Sequence, residues 1–361
     1  MIDVRRLGLS FCLLVSLVRI FPPAVARSET SPIPLLAYYY IWYDPQSWDR
    51  AKIDYPLLGR YSSDDRGVME EHVRMAKSAG IDGFIVSWKS TYKLDLRLKQ
   101  LMEVADEQNF SLWIIYQGLD FDRKPLPVDR IINDLQYFVD TYADNPAFAM
   151  YDLPVVILSG SWEFSAQDIG TISDTFRGRL YLLGSERNVD DYLRIADKVD
   201  GNAYYWSSVD PTTFPGYEEK LAAISAAVHD HRGIWLAPAA PGFDARLVGG
   251  TRVVDRQGGG TLRTELTAAM HSNPDAIGII SWNEFSENTQ IEPSEQYGSL
   301  ALLVIANRQT SQAPLVANFD SSAPGNANLK LPYQPFILLG VFMLAALSFL
   351  AILTRQRGPK S

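Results

Sequence analysis

The sequence predicts an α/β protein folded as a (β/α)8 TIM barrel, followed by a linker and one C-terminal transmembrane helix. Three observations carry that prediction. Eight short apolar runs recur between residues 34 and 282. They are near-continuous rather than alternating, as strands covered on both faces of a parallel sheet require. Helix-like stretches separate them, and residues 32–312 hold the whole set, the size and order of one such barrel. A doubly wound open sheet has the same alternation and is the alternative arrangement.

The runs are PLLAYYYIWY (34–43), IDGFIVSW (81–88), SLWIIYQ (111–117) and PVVILSG (154–160), then RLYLLGS (179–185), GNAYYW (201–206), GIWLAPA (233–239) and AIGIISW (276–282). After the first, RGVMEEHVRMAKSAG sets Val68, Met69, Val73 and Ala76 on one helical face and Glu70, Glu71 and Arg74 elsewhere. VDRIINDLQYFVDTYA and GYEEKLAAISAAVHDH repeat that spacing. With 361 residues and 47% hydrophobic content, the chain can bury one large core.

The two ends read differently. Residues 1–26 begin with Arg5 and Arg6, continue through an apolar run from Leu7 to Val18, and close on Ala24, Val25 and Ala26. That is the order of a signal peptide and its cleavage site, although Arg19 interrupts it. The catalytic-sized barrel takes residues 32–312. Residues 313–335 are rich in Pro, Asn, Ser and Gly without a period, and are expected to form an exposed linker. Residues 336–353 carry no charge and are long enough to cross a bilayer. Arg355, Arg357 and Lys360 follow, so residues 354–361 should be a cytoplasmic tail, with the barrel on the outer side of the cell membrane.

Charge and cysteine content narrow the function. The net charge is -9, and loss of residues 1–26, with Arg5, Arg6, Arg19 and Asp3, would leave -11. Such a surface repels phosphate backbones, which argues against nucleic acid as a partner. The one cysteine, Cys12, lies in the signal segment, so the barrel has no thiol nucleophile, disulfide or cysteine metal site. The 18 Tyr, 16 Phe and 8 Trp suit sugar stacking, though most aromatics simply fill cores.

Chemistry in such a barrel sits at the C-terminal ends of the strands. The eighth run leads straight into Asn283, Glu284 and Glu287. Two carboxylates at that rim can divide glycoside hydrolysis between a proton donor and a base or nucleophile. Two solvated loop glutamates, or glutamates in the first turn of a helix, would look the same in sequence.

The surrounding motifs resemble a known family. SWNEFSENTQIEPSEQYG (281–298) is similar to the end of the catalytic domain in glycoside hydrolase family 99, the endo-α-mannosidase family, whose pattern is close to N-E-W-x-E-G-T-Q-I-E. YYYIWYD, then GRYSSDDRGVMEEHVRMAKSAGIDGFIVSW, and APGFDAR (240–246) resemble its first strand, second strand and the stretch after its seventh. The resemblance covers the barrel from end to end. It implies an oligo- or polysaccharide substrate, no cofactor, and a retaining route through a 1,2-anhydro sugar. Glu284 would act as base on the substrate's 2-hydroxyl, and Glu287 as general acid/base. Relatives tied to polysaccharide gene clusters leave a glycosyltransferase as one alternative, and a glycan-binding protein without catalysis as another. The chain departs from the pattern at Ser286 and Asn288, where the family commonly has His and Gly, and at Gln117, where it commonly has a carboxylate.

Strand ends supply the expected sugar contacts: Tyr40, Trp88, Gln117, Tyr205 and Asn283 foremost, with Trp42, Tyr116, Tyr204, Trp206 and Asp244 behind them. Alternation should turn about half of them away from the cleft. Glu163 and Glu186 follow the fourth and fifth runs and could add carboxylates or serve loop ion pairs. No metal site is expected. His229 and His231 are two apart at a helix end, where their rings splay, and His72 and His271 are expected on the outer helix layer. The Gly258–Gly260 run is expected to be a flexible loop over the barrel mouth.

Overall fold

The computed structural model describes residues 32–50 and 52–308. The expected signal peptide (1–26), linker (313–335), membrane helix (336–353) and tail (354–361) lie outside the described residues. Among the described residues, no helix is long and apolar enough to cross a membrane.

Eight parallel strands close into a barrel. They are β1 (Leu35–Tyr40), β2 (Gly83–Trp88), β3 (Ser111–Gln117), β4 (Val155–Ser159), β5 (Tyr181–Gly184), β6 (Gly201–Ala203), β7 (Ile234–Ala239) and β10 (Ala276–Ile279). Each predicted run contains one of them. Sequential strands pair from β1 to β7, and β10 joins β7 to β1 in parallel register, which excludes the open sheet. A two-stranded hairpin, β8 (Phe243–Asp244) and β9 (Val253–Val254), stands outside the barrel at its C-terminal end. Around it run α1 (Arg66–Ser78), α2 (Tyr92–Glu107), α3 (Val128–Thr141), α4 (Ala166–Phe176), α5 (Val189–Leu193), α6 (Tyr217–Asp230), α7 (Gly260–His271) and α8 (Leu300–Ala306).

Alternation along the strands makes two cores. Leu36, Tyr38 and Tyr40 of β1 join Ile85, Trp113, Ile115 and Ile157 inside the barrel. Leu35, Ala37 and Tyr39 join Phe84, Trp88, Tyr116 and the helices outside it. Close approach at one crossing demands glycine: a Cβ on Gly201 would stand 2.1 Å from the Ile234 carbonyl oxygen of β7.

Helix starts follow local chemistry. The Asp65 carboxylate accepts the Gly67 N–H at 2.9 Å and caps α1, and Ser165 caps α4 through the Asp168 N–H. The glycine run is no flexible lid. Gly258 and Gly259 turn at φ +57° and +85° directly into α7, and a Cβ on Gly259 would meet Val304 of α8 at 2.9 Å. Left-handed turning and a close helix contact account for those glycines.

Candidate active site

The site is built on the segment that follows β10. Asn283 begins it, and its side chain clamps the end of β1. Its Oδ1 accepts the Tyr40 N–H at 2.8 Å, and its amide donates to the Tyr40 carbonyl at 3.0 Å and to the Tyr61 hydroxyl at 3.2 Å. The Tyr43 hydroxyl donates to the Asn283 carbonyl at 2.6 Å. Asn283 is fully buried with its polar atoms engaged, so it fixes the rim rather than touching a sugar. That corrects its assignment as a substrate contact: the free amide the sequence suggested is consumed by strand β1.

Glu284 follows. Its backbone N–H donates to the Ser281 hydroxyl at 2.8 Å, and its Oε1 accepts the Ser286 N–H at 2.9 Å. Burial raises its carboxyl above the usual range, against the donors at Ser286 and the positive charge of Lys52. Glu287 is partly exposed. Burial first, and then the charge of Glu284, push it to about 7, and Arg123 opposes them. Burial and the charge of the neighbouring Glu284 thus both favour the protonated form of Glu287.

Aromatics border the pair. The hydroxyls of Tyr40 and Tyr205 lie 2.7 Å apart, and both rings feel the charges of Glu284 and Glu287. Tyr205 also packs edge-on to Tyr38, with centroids 5.0 Å apart. Trp42 is exposed and packs at a tilt against Tyr40, with ring centroids 4.4 Å apart. Gln117 is partly buried on the inward side of β3 and donates to the Ser87 hydroxyl at 3.0 Å.

Trp88 belongs elsewhere. It is fully buried among the helices, its indole N–H donates to Asp95 of α2 at 2.9 Å, and its ring packs on Phe138 of α3. The expectation that it lines the sugar site is therefore wrong by one residue of strand phase. Tyr116 points outward likewise and donates to Asp134. Tyr204 and Trp206 stack with Tyr217 towards α6. Asp244 is held by both ends of the Arg246 guanidinium, and its backbone N–H donates to the Glu287 carbonyl at 2.8 Å. The hairpin thus braces the backbone that carries the second glutamate. Glu163 is exposed, and Glu186 is fully buried against Ser161 and Arg194.

Sequence reasoning missed the network behind the rim. Glu292, also fully buried, accepts the Tyr61 hydroxyl at 2.8 Å and faces His72 Nε2 at 3.0 Å, and His72 Nδ1 lies 2.9 Å from the Tyr39 hydroxyl. His72 is on a helix as expected, but wedged against the barrel. Gln290 donates to Asp54 at 3.1 Å, and the Thr289 and Ser281 hydroxyls are 3.0 Å apart. Thr289, Gln290 and Glu292, beyond Glu287, therefore hold the glutamate-bearing segment in place; the T-Q-I-E of the resembling pattern was a signal for them, but not for their partners. Asn288 lies at φ +54°, a left-handed position that glycine adopts freely and Asn tolerates. Lys52 was also missed: its ammonium donates to the Ser286 hydroxyl at 3.1 Å. Among the described residues, no group of three or more His, Cys, Asp or Glu is set to hold a metal. His229 instead pairs with Asp275 at 3.0 Å.

Comparison with known proteins places the chain in a family. The description "Glycosyl hydrolase family 99" matches residues 43–301. A glycoprotein endo-alpha-1,2-mannosidase-like protein of Danio rerio is 27% identical over 284 residues, which cover 71% of this chain and 63% of that protein. The glycoprotein endo-alpha-1,2-mannosidase of Rattus norvegicus is 22% identical over 342 residues, covering 76% of this chain and 72% of that one. The match thus spans just under two thirds of the zebrafish relative's length. Among solved structures, the GH99 endo-alpha-mannosidase from Bacteroides thetaiotaomicron superposes with a TM-score of 0.67 at 20% identity, over 76% of this chain and 96% of that one. A glycoside hydrolase-like protein gives 0.60 at 15% identity, over 76% and 93%. At those identities the structural likeness speaks for the barrel alone.

Proposed function

This chain belongs to glycosyl hydrolase family 99, and on that premise we propose that it is a glycosidase that cleaves α-linked glycans, endo-α-mannosidase-like in its action. The observation that carries the proposal is the carboxyl pair at the C-terminal rim, with Glu287 pushed to about 7 beside a Glu284 whose carboxylate is met by a backbone donor. A group titrating near the working pH can both give and take a proton. Glu287 protonates the oxygen of the leaving sugar. Glu284 takes the proton of the substrate's own 2-hydroxyl, whose oxygen displaces the leaving group to form a 1,2-anhydro sugar. Water, deprotonated by Glu287, then opens that ring at the anomeric carbon while Glu284 returns its proton to the 2-oxygen, which restores both carboxyls to their starting states. Two inversions give net retention, and neither carboxylate need reach the anomeric carbon. Tyr40, Trp42, Tyr205 and Gln117 face the sugar, with aromatic faces for its C–H surfaces and polar ends for its hydroxyls.

The test is turnover by the full-length chain on α-mannans, α-glucans and α-glycosyl fluorides, read beside Glu284→Gln and Glu287→Ala. Release of sugar with retained anomeric configuration, lost in both variants, is the expected result. Saturable binding without cleavage, unaffected by both substitutions, would replace the enzyme with a glycan-binding protein. Transfer to an added acceptor sugar in preference to water would make it a transferase.

The placement proposed for the enzyme rests on sequence: an apolar run at 336–353 followed by Arg355, Arg357 and Lys360. It anchors the chain in the cell membrane with the barrel outside and residues 354–361 in the cytoplasm. External protease should digest the barrel of intact cells and spare an epitope on the tail; the reverse pattern would invert the orientation.

A further inference from the structure

Two similar glutamates with different jobs need something that tells them apart. Hydrogen bonding does part of this. Glu284 Oε1 accepts the Ser286 N–H, whereas among the described residues the Glu287 carboxylate accepts no hydrogen bond. The same Ser286 also uses its hydroxyl, which accepts from the Lys52 ammonium at 3.1 Å. One residue therefore holds a carboxylate through its backbone and a cation through its side chain. The ammonium is placed further by the Trp48 ring, 5.7 Å below it. That ring is itself fixed by its indole N–H, which donates to the Tyr61 carbonyl at 2.6 Å.

The other charges around the pair do not compete with this lysine. Tyr40, Tyr43 and Tyr205 face the carboxylates from β1 and the β6 end, and burial keeps all three phenols neutral. Glu292 acts on the far side of Tyr43. Arg123, exposed on the loop after β3, attracts Glu287 but only opposes the stronger effects of burial and Glu284. Arg50 faces Lys52 itself. Among the described residues no carboxylate lies within ion-pair distance of Lys52, so Ser286 is the contact that determines where its charge falls.

We propose that Lys52, seated on Ser286, is a positioning residue that keeps the negative charge on Glu284 and thereby leaves the proton on Glu287. Resting on the glycosidase reading above, this deepens it: the lysine sets which carboxyl is base and which is acid without touching the reacting sugar. An ammonium near Glu284 favours its ionised form. An ionised Glu284 in turn holds the proton on its neighbour, so the pair titrates in two well-separated steps. Lys52 also closes a gap that burial leaves open, since burial alone raises both carboxyls and distinguishes neither.

The experiment is a titration of the full-length chain labelled with 13C at glutamate Cδ, with Glu284→Gln and Glu287→Gln assigning the two signals. The readout requires no substrate. In Lys52→Met the lower step of the pair should move up by about one pH unit. The acid limb of kcat/KM should move with it, and Lys52→Arg should restore both. Ser286→Ala keeps the backbone donor and should move the lower step in the same direction by less. A lower step that stays put in folded Lys52→Met overturns the proposal. If that variant does not fold, an unmoved step in Ser286→Ala overturns it equally. A chain that shows the shift but cleaves no glycan overturns the glycosidase reading alone, so the two failures can be told apart.

Discussion

Two sites with buried glutamates stand at the same end of the barrel and differ in access and in the charge beside them. After β10, Glu284 and Glu287 sit in a loop with hydroxyls and amides about them. After β5, Glu186 does too, taking the Ser161 hydroxyl at 2.7 Å and the Arg194 guanidinium at 3.3 Å. Burial raises the carboxyls of both sites. Yet Glu186 is sealed beneath the loop after β4 and the end of α5, with no exposure, and its nearest charge is the Arg194 guanidinium, with Asp191 acting on it more weakly. A raised carboxyl therefore marks a dry environment in either place. Access from the cleft, with a second glutamate rather than an arginine beside the first, is what suits the β10 site to proton transfer.

The largest effects should separate the sites by activity. Glu287→Ala and Glu284→Gln should each lose about 10³-fold or more of kcat/KM, whereas Glu186→Gln should stay within about threefold. A Glu186→Gln loss of the same size would erase the distinction. Next come two aromatics on opposite strand phases. Trp88→Ala should cost about 3–5 kcal/mol in denaturant unfolding, because it empties a fully buried site. Tyr40→Phe should cost less than about 1 kcal/mol of stability but about tenfold in kcat/KM, because its hydroxyl faces the carboxyl pair.

Dependence on pH sharpens the comparison further. Above pH 7, kcat/KM should fall as Glu287 gives up the proton it donates, and Glu287→Ala should lose that limb. For Glu186 the effect is on stability. Its folded carboxyl is raised, so the folded chain favours the protonated form. That contribution is complete below the unfolded value near about 4.3, and is lost as pH climbs through the folded value. Glu186→Gln should remove this slope from urea midpoints taken across the range. The smallest effect is at His229, far from either site. Its partner Asp275 raises it, so the pair stabilises below the unfolded value near about 6.5, and this is lost as pH rises through the folded value. His229→Gln should cost less than about 1 kcal/mol at low pH, since both partners remain about 30% exposed, and leave turnover unchanged.

Much of this architecture was legible in the chain. Uninterrupted apolar runs such as IDGFIVSW are what a doubly covered parallel strand must be, and every run holds a strand. Glu284 and Glu287 were legible because they directly follow such a run. Phase was not. Tyr40 and Trp88 both end a strand, but a single residue of register turns one to the cleft and the other to Phe138, and nothing in a fully apolar run reports which face is which. Asn283 looked like a sugar ligand because its partner, the backbone of Tyr40, lies 243 positions away. Lys52 and Glu292 were invisible for the same reason: their roles depend on contacts between the first strand's loops and the last's.

The most direct measurement of the central claim compares leaving groups. The full-length Glu287→Ala and Glu284→Gln variants should be assayed on a glycan that the wild-type chain cleaves and on the corresponding α-glycosyl fluoride, following the first turnover. Fluoride leaves without a proton, so Glu287→Ala should recover much of its lost rate on the fluoride, while Glu284→Gln stays slow on both. Equal losses on the two substrates in both variants would contradict the division of labour between the two carboxylates.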